Sequence, residues 1–285
     1  MAVLLALIAA LAYGISDFVA GLMARRASVF LVTLIAQSAS TVVVGAALPF
    51  TGGLVDGASL MWGGVAGLGG AGGALFLYRG LARGSMSIVG PVSAVVTAAG
   101  SAVVGVALGE RPGALTAGGV VLACIAVALV SLSEPTAAVP AGEAWRALLN
   151  ATGAGLGFVL LFVALNRAES GAGLWPVAAA TLVGVLVALL GLSVALVRRH
   201  ERLGSIRSIV AGGVATGVLG GGATVAYSLS THRGPLTVTA VITSLYPAAT
   251  VLLALGLLRE RLRRVQAAGV ALVAVAVALL AAAPK

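Results

Sequence analysis

Ten apolar runs follow one another along this chain with little sequence between them, and they limit the folds that it can adopt. A helix of roughly 20 apolar residues crosses the hydrocarbon core of a bilayer. Hydrophobic residues make up 60% of the chain and charged residues only 9%, which excludes a soluble globular domain. A transmembrane β-barrel would show short alternating segments instead of continuous runs. We therefore predict an all-α integral membrane protein with ten transmembrane helices. The predicted spans are residues 2–23, 29–50, 59–78, 85–108, 114–132, 146–165, 173–197, 207–230, 235–258 and 265–283.

The net charge of +9 does not indicate nucleic-acid binding. The arginines cluster at the ends of apolar runs, and no aromatic residues alternate with them as in a single-strand binder. The single cysteine, Cys124, lies within an apolar run, and His200 and His232 fall in different loops, so no cluster has metal-ligand spacing. We expect no metal, no cofactor and no nucleic-acid partner.

A polar linker, SEPTAAVPAGEA at residues 133–144, divides the runs into two sets of five. A shift of 150 residues aligns 83–130 with 233–280, and fifteen of the forty-eight aligned positions are identical. Glu110-Arg111 then matches Glu260-Arg261. The sequence therefore predicts two five-helix repeats, at residues 1–132 and 146–285, joined by a linker at 133–145.

An odd number of spans in each repeat has a geometric consequence. The second repeat must enter the membrane with the orientation opposite to that of the first. Inverted repeats of this kind place a binding site near the bilayer midplane, between the halves, and support alternating access. The pattern thus favours a secondary transporter.

Four short stretches carry a likeness to a known family. They are LYRGLARGSMSIVGPVSA at 77–94, LGERP at 108–112, Tyr13-Gly14 in the first run and Tyr246-Pro247 in the ninth. They resemble EamA-type members of the drug/metabolite transporter superfamily, and the resemblance covers nearly the whole chain. It implies a ten-helix, two-repeat carrier of small metabolites, often an exporter of amino acids or related solutes. The first half has Thr97 where Pro247 stands in the second, so the resemblance does not imply identical motion of the halves.

The distribution of basic residues and the resemblance predict opposite orientations. The loops after the odd-numbered spans hold thirteen of the seventeen basic residues, which predicts that these loops are cytoplasmic and both termini are outside. The family resemblance implies termini inside. A reporter fused after Lys285 distinguishes the two.

Asp17 stands inside the first apolar run, whereas the other seven carboxylates fall in loops or at helix ends. Tyr13, Asp17 and Gly21 recur at four-residue spacing and therefore share one helix face. An intramembrane carboxylate is a functional-site hypothesis by default, and here it suits exchange of a proton for a cationic or zwitterionic substrate. The alternative is a structural aspartate bonded to a neighbouring hydroxyl or backbone group.

Further polar residues lie at mid-span depth. Gln37 and Ser38 in the second span either line the cavity or form hydrogen bonds across helices. Tyr227 and Tyr246 either contact a solute or pack between helices. All four are candidate substrate-binding residues.

Two prolines are candidate hinges. Pro247 removes a helical hydrogen bond to the carbonyl of Thr243, and Pro91 removes one to Ser87. The freed carbonyls, and the Thr243 hydroxyl, either contact substrate or satisfy one another.

These features predict a secondary transporter of small organic solutes such as amino acids, metabolites or drugs. We expect an exporter, a monomer or homodimer, that spans a bacterial-type cytoplasmic membrane many times and is driven by a proton gradient or by the solute gradient itself. One alternative is an uncoupled facilitator. The other, a membrane-embedded enzyme, would need acid–base or metal groups clustered at one interface, and the sequence contains no such cluster.

Overall fold

The computed structural model describes residues 1–83, 86–130, 141–197, 206–249 and 264–283. This part of the chain is almost entirely helical, which confirms the predicted fold class. A short 3₁₀ turn at Ser170–Ala172 precedes the seventh helix. The helices are α1 Ala2–Ala24, α2 Val29–Thr51, α3 Gly57–Ala82, α4 Met86–Ala107, α5 Ala114–Val130, α6 Ala141–Arg167, α7 Trp175–Val197, α8 Ile206–Thr231, α9 Leu236–Thr243 and α10 Arg264–Ala282.

The predicted residues 250–258 of the ninth span lie outside the described residues, and the other nine helices begin and end within five residues of the predicted spans. Among the described residues, eight helices are long and apolar enough to cross a membrane, and two apolar helices, Ala114–Val130 and Leu236–Ala249, are shorter. The largest shift is at α6, which begins at Ala141 and not at residue 146. Residues 133–140 of the predicted linker lie outside the described residues.

Polar side chains mark the start of two helices. The hydroxyl of Ser28 accepts a hydrogen bond from the backbone N–H of Leu31 at 3.4 Å, at the start of α2. The carboxylate of Asp56 accepts one from the N–H of Ser59 at 2.9 Å, at the start of α3. Serine and aspartate are preferred at this position because they satisfy N–H groups that have no partner within the helix.

The two halves interlock, and their contacts follow the internal repeat. The contact of α1 with α8 is equivalent to the contact of α6 with α3. In the same way, the contact of α2 with α8 matches that of α7 with α3, and the contact of α4 with α6 matches that of α9 with α1. Three further contacts join equivalent helices, namely α2 with α7, α4 with α9 and α5 with α10. Because each contact either has a counterpart or joins two equivalents, the bundle is built from two related five-helix units.

Glycines allow the closest of these approaches. Gly67 of α3 faces α7, where a Cβ would come within 2.8 Å of the Val183 side chain. Gly217 of α8 faces α2, where a Cβ would come within 2.6 Å of the Ala39 side chain. Both glycines therefore serve helix packing, because small residues let two helices approach closely.

Glu110 joins the two halves at one end of the bundle. Its carboxylate accepts hydrogen bonds from the backbone N–H groups of Leu236, at 2.6 Å, and Thr237, at 2.9 Å. It therefore caps α9 of the second repeat and not α5, which follows it in the chain. The matching pair Glu260-Arg261 lies outside the described residues.

Candidate functional site

A cavity of about 90 Å³ lies inside the bundle, between α1, α2, α3, α6, α7 and α8. Three of the predicted site residues, Tyr13, Asp17 and Gln37, line it. The cavity is lined by helices of both repeats. Its other lining residues are Ser16, Ala36, Ser40, Ala66, Gly67, Gly70, Ala74, Tyr78, Phe158, Leu161, Ala180, Thr181, Thr216, Gly220 and Thr224.

Asp17 is the only acidic residue among the described lining residues. It precedes Ala24, the last residue of α1, by seven positions, which is about 10 Å along the helix. No described residue donates a hydrogen bond to its carboxylate or forms an ion pair with it. A carboxylate at this depth is therefore left to interact with whatever occupies the cavity.

Hydroxyl groups join α1 to α8 along the cavity. The hydroxyl of Tyr13 lies 2.8 Å from that of Thr224, and the hydroxyl of Ser16 donates to the carbonyl of Thr216 at 3.0 Å. Both bonds come from residues that precede Asp17 on α1, and they hold α1 against α8. The position of the carboxylate is therefore set by neighbours on its own helix and not by a bond of its own.

Gln37 reaches the cavity from α2. Its side chain occupies the space beside Gly184 of α7, where a Cβ would come within 2.7 Å of its Cδ atom. Its amide group forms no hydrogen bond with another described side chain or backbone group. Both its N–H donors and its carbonyl oxygen are therefore available to a solute or to water.

Two predicted residues lie away from the cavity lining. Ser38 is exposed on the outer surface of α2. Tyr227 is completely buried, donates a hydrogen bond to the carbonyl of Phe162 at 3.0 Å and stacks on the Phe162 ring with centroids 4.2 Å apart. Tyr227 therefore joins α8 to α6.

Thr243 and Tyr246 lie where α9 packs against α1 and α4. The hydroxyl of Thr243 donates to the carbonyl of Ala6 at 3.5 Å, and the hydroxyl of Tyr246 lies 2.7 Å from that of Ser93. Neither residue is part of the cavity lining. In this conformation both serve contacts between the halves.

The two candidate hinge prolines differ in their surroundings. Helix α4 runs without interruption through Pro91. The helix at α9 ends at Thr243, turns at Ser244 and Leu245, and resumes over 246–249, a stretch that includes Pro247. The aligned position in the first half, Thr97, bonds instead to the carbonyl of Ser93 at 2.7 Å, which suits an unbroken helix.

Several cavity residues were not predicted from the sequence. They include Ser16, Tyr78, Thr181, Thr216 and Thr224. One signal was available, because GGALFLY at 72–78 aligns with GGATVAY at 221–227, so Tyr78 is the equivalent of Tyr227. Local sequence could not show which of the two tyrosines faces the cavity. Among the described residues, no group of three histidine, cysteine or acidic side chains could hold a metal ion.

Comparisons with known proteins agree with this architecture. A family model described as the EamA-like transporter family matches residues 1–132 and 145–282. A search of curated proteins finds no match. A solved structure titled "Crystal structure of protein" is similar to the chain with a TM-score of 0.75 and 19% sequence identity, over 98% of this chain and 95% of that one. This likeness supports the fold alone.

Proposed function

The chain belongs to the EamA-like transporter family, and we propose that it is a secondary transporter of small organic solutes, with the Asp17 cavity as its binding site. The observation that carries this proposal is a lone carboxylate lining an internal cavity between two related repeats. A bare carboxylate is costly in such a setting unless a proton or a cation compensates its charge. Solute and proton would therefore compete for Asp17.

Alternating access would open the cavity to one side of the membrane at a time. The contacts between equivalent helices support this, because the two related halves could rock about a shared site. The helix break at Ser244 and Leu245, ahead of Pro247, is a candidate hinge that the first half lacks. The predicted roles of Thr243 and Tyr246 would then concern this motion, since their contacts join helices of different halves. Tyr227 would instead support the second half, where it joins α8 to α6.

We propose export as the direction of transport, across a bacterial-type cytoplasmic membrane. The orientation of the termini is measured with a reporter fused after Lys285 that is active only in the cytoplasm. An active reporter supports the orientation implied by the family, and an inactive one supports the orientation predicted from the basic residues. Solute movement in oriented vesicles then gives the direction.

The transport role is tested with purified protein in proteoliposomes, with a panel of amino acids and cationic drugs at two pH values. We expect Asp17→Asn to lower the rate of transport by about tenfold or more, because the variant cannot compensate a cation or release a proton. The matched control is Asp56→Asn. The N–H of Ser59 holds the pKa of Asp56 below its usual value, so the control removes one carboxylate charge outside the cavity and keeps a capping side chain.

The same measurement separates a coupled transporter from an uncoupled facilitator. A coupled transporter loses both rate and pH dependence in Asp17→Asn. Unchanged rate and pH dependence in that variant would contradict any coupling role for Asp17 and would favour the facilitator.

A further inference from the structure

The charge of the cavity points to the class of solute, an inference that rests on the transport role proposed above. Among the described lining residues there is one carboxylate and no lysine, arginine or histidine. A solute that carries its own carboxylate would meet a like charge there and find no basic partner, and such a pairing is strongly unfavourable. The lining therefore favours a cation over a zwitterion or an anion.

The hydroxyl groups of the lining are arranged as hydrogen-bond acceptors. Each hydroxyl has a single proton to donate. Four of these protons are already directed at backbone carbonyls, so the oxygens have only lone pairs left for a solute. The bonds run from Ser16 to Thr216 at 3.0 Å, Ser40 to Gly217 at 2.7 Å, Thr181 to Ala178 at 3.0 Å and Thr224 to Gly220 at 2.9 Å.

The Tyr13 hydroxyl also uses its proton for a bond within the protein. The proton of Thr224 is directed at the carbonyl of Gly220, so in the 2.8 Å contact between the two hydroxyls Tyr13 is the donor. The Tyr13 oxygen is then also left as an acceptor. These five hydroxyls therefore favour a solute with N–H or O–H donors, and the Gln37 amide can both donate and accept.

The Thr216 hydroxyl gives independent evidence for a bound solute, because it lacks a hydrogen-bond partner within the described part of the chain. It lines the cavity, is only 2% exposed, and its hydroxyl has no hydrogen-bond partner among the described residues. A buried hydroxyl without a partner is unfavourable for the fold. A donor group bound in the cavity would remove that penalty.

The size and walls of the cavity suit a small cation. A volume of about 90 Å³ is well below the roughly 300–1,000 Å³ of pockets for drug-sized ligands. Glycine and alanine form much of the wall, and the rings of Tyr78 and Phe158 also contribute. Aromatic faces attract ammonium groups.

We propose that the cavity binds a compact organic monocation with N–H donors, a protonated primary or secondary amine, and discriminates against the amino acid with the same side chain. Asp17 would balance the charge, and the hydroxyl acceptors with Thr216 would receive the N–H groups. This assigns the site to amines and not to the zwitterions or large drugs that the fold could also carry.

The test compares amines with their parent amino acids in proteoliposomes at neutral pH, with protein-free liposomes subtracted. The pairs are ethanolamine and serine, ethylamine and alanine, and isobutylamine and valine, and choline serves as a cation without N–H donors. We expect each amine that moves to move about tenfold or more faster than its parent amino acid. We also expect ethanolamine to move faster than choline.

The outcomes separate this inference from the transport role. Amino acids that move as fast as their amines would overturn the amine assignment and leave the transport role standing. Choline that moves as fast as ethanolamine would overturn the need for N–H donors. If no compound moves, and none raises the melting temperature of the purified protein, both proposals fail.

A pair of variants at Thr216 tests the acceptor role within one side chain. Thr216→Val keeps the shape and removes a buried hydroxyl that bonds no described residue, so we expect a melting temperature that is equal or higher and a reduction of amine transport by about threefold or more. Thr216→Ser keeps a hydroxyl and should retain transport. Equal transport by all three proteins would show that the solute does not bond this group.

Discussion

The contact between α1 and α8 and the contact between α6 and α3 are equivalent in the internal repeat, but they are built from different chemistry. Tyr13 and Ser16 of α1 bond to α8 through hydroxyl groups, and Asp17 directly follows Ser16 on the same helix. Gly157 of α6 instead lies directly on Gly73 of α3, where a Cβ would come within 2.6 Å of the Gly73 backbone. The first contact is polar, and the second is a close apolar approach.

This difference indicates that the two copies of the repeat have different roles. The duplicated helices reproduce much of the packing scheme, because the contacts of α1 with α8, α2 with α8 and α4 with α6 each have a counterpart in the other half. Only one copy carries a carboxylate, since Val159 stands where the weak alignment of α6 with α1 places the equivalent of Asp17. We therefore expect changes in the glycine contact to affect stability and changes in the polar contact to affect solute handling.

Gly157→Ala should have the largest effect on stability. The added methyl group would collide with the backbone of α3, which cannot move aside as a flexible side chain can, and we expect a loss of about 1–3 kcal/mol. The measurement is the thermal unfolding of the purified protein in detergent. Gly222→Ala is the control on α8, where a Cβ has no heavy atom within 4 Å. Equal melting temperatures for both variants would contradict the close approach.

The equivalent tyrosines, Tyr227 and Tyr78, should respond differently to loss of the hydroxyl. Tyr227→Phe removes a bond to the carbonyl of Phe162, so we expect a loss of about 1 kcal/mol in unfolding free energy. Tyr78→Phe should leave stability unchanged, because its hydroxyl has no hydrogen-bond partner among the described residues, and should alter transport instead. A lower unfolding free energy for Tyr78→Phe than for Tyr227→Phe would contradict this prediction.

Ser16→Ala should have the smallest effect of the three. It removes the bond to the carbonyl of Thr216 across the polar contact, which contributes about 0.5–1.5 kcal/mol, and the carbonyl keeps its place within α8. Ser38→Ala is the control, since Ser38 is exposed on α2. Thermal unfolding of both variants measures the difference, and an equally small shift in each would show that the bond contributes nothing to holding α1 on α8.

Part of the candidate site was predictable because it lies on one helix. Tyr13 and Asp17 are four residues apart, so any helix brings them to the same face, and both line the cavity. Gln37 and Ser38 are adjacent, so a helix must direct them apart, and their sequence does not show which one faces inward. The structure directs Gln37 to the cavity and Ser38 outward.

The sequence by itself determined the helical membrane fold, the repeat, the family resemblance and the unusual position of Asp17. These depend on local hydropathy and on self-similarity, because an apolar run in lipid must satisfy its backbone hydrogen bonds within its own helix. Only the tertiary structure decided which polar groups meet. Tyr227 reaches Phe162 over 65 residues and Ser16 reaches Thr216 over 200, through the rotation of each helix and its choice of neighbour. Those are set by packing between helices that are distant in the sequence, which no single span encodes.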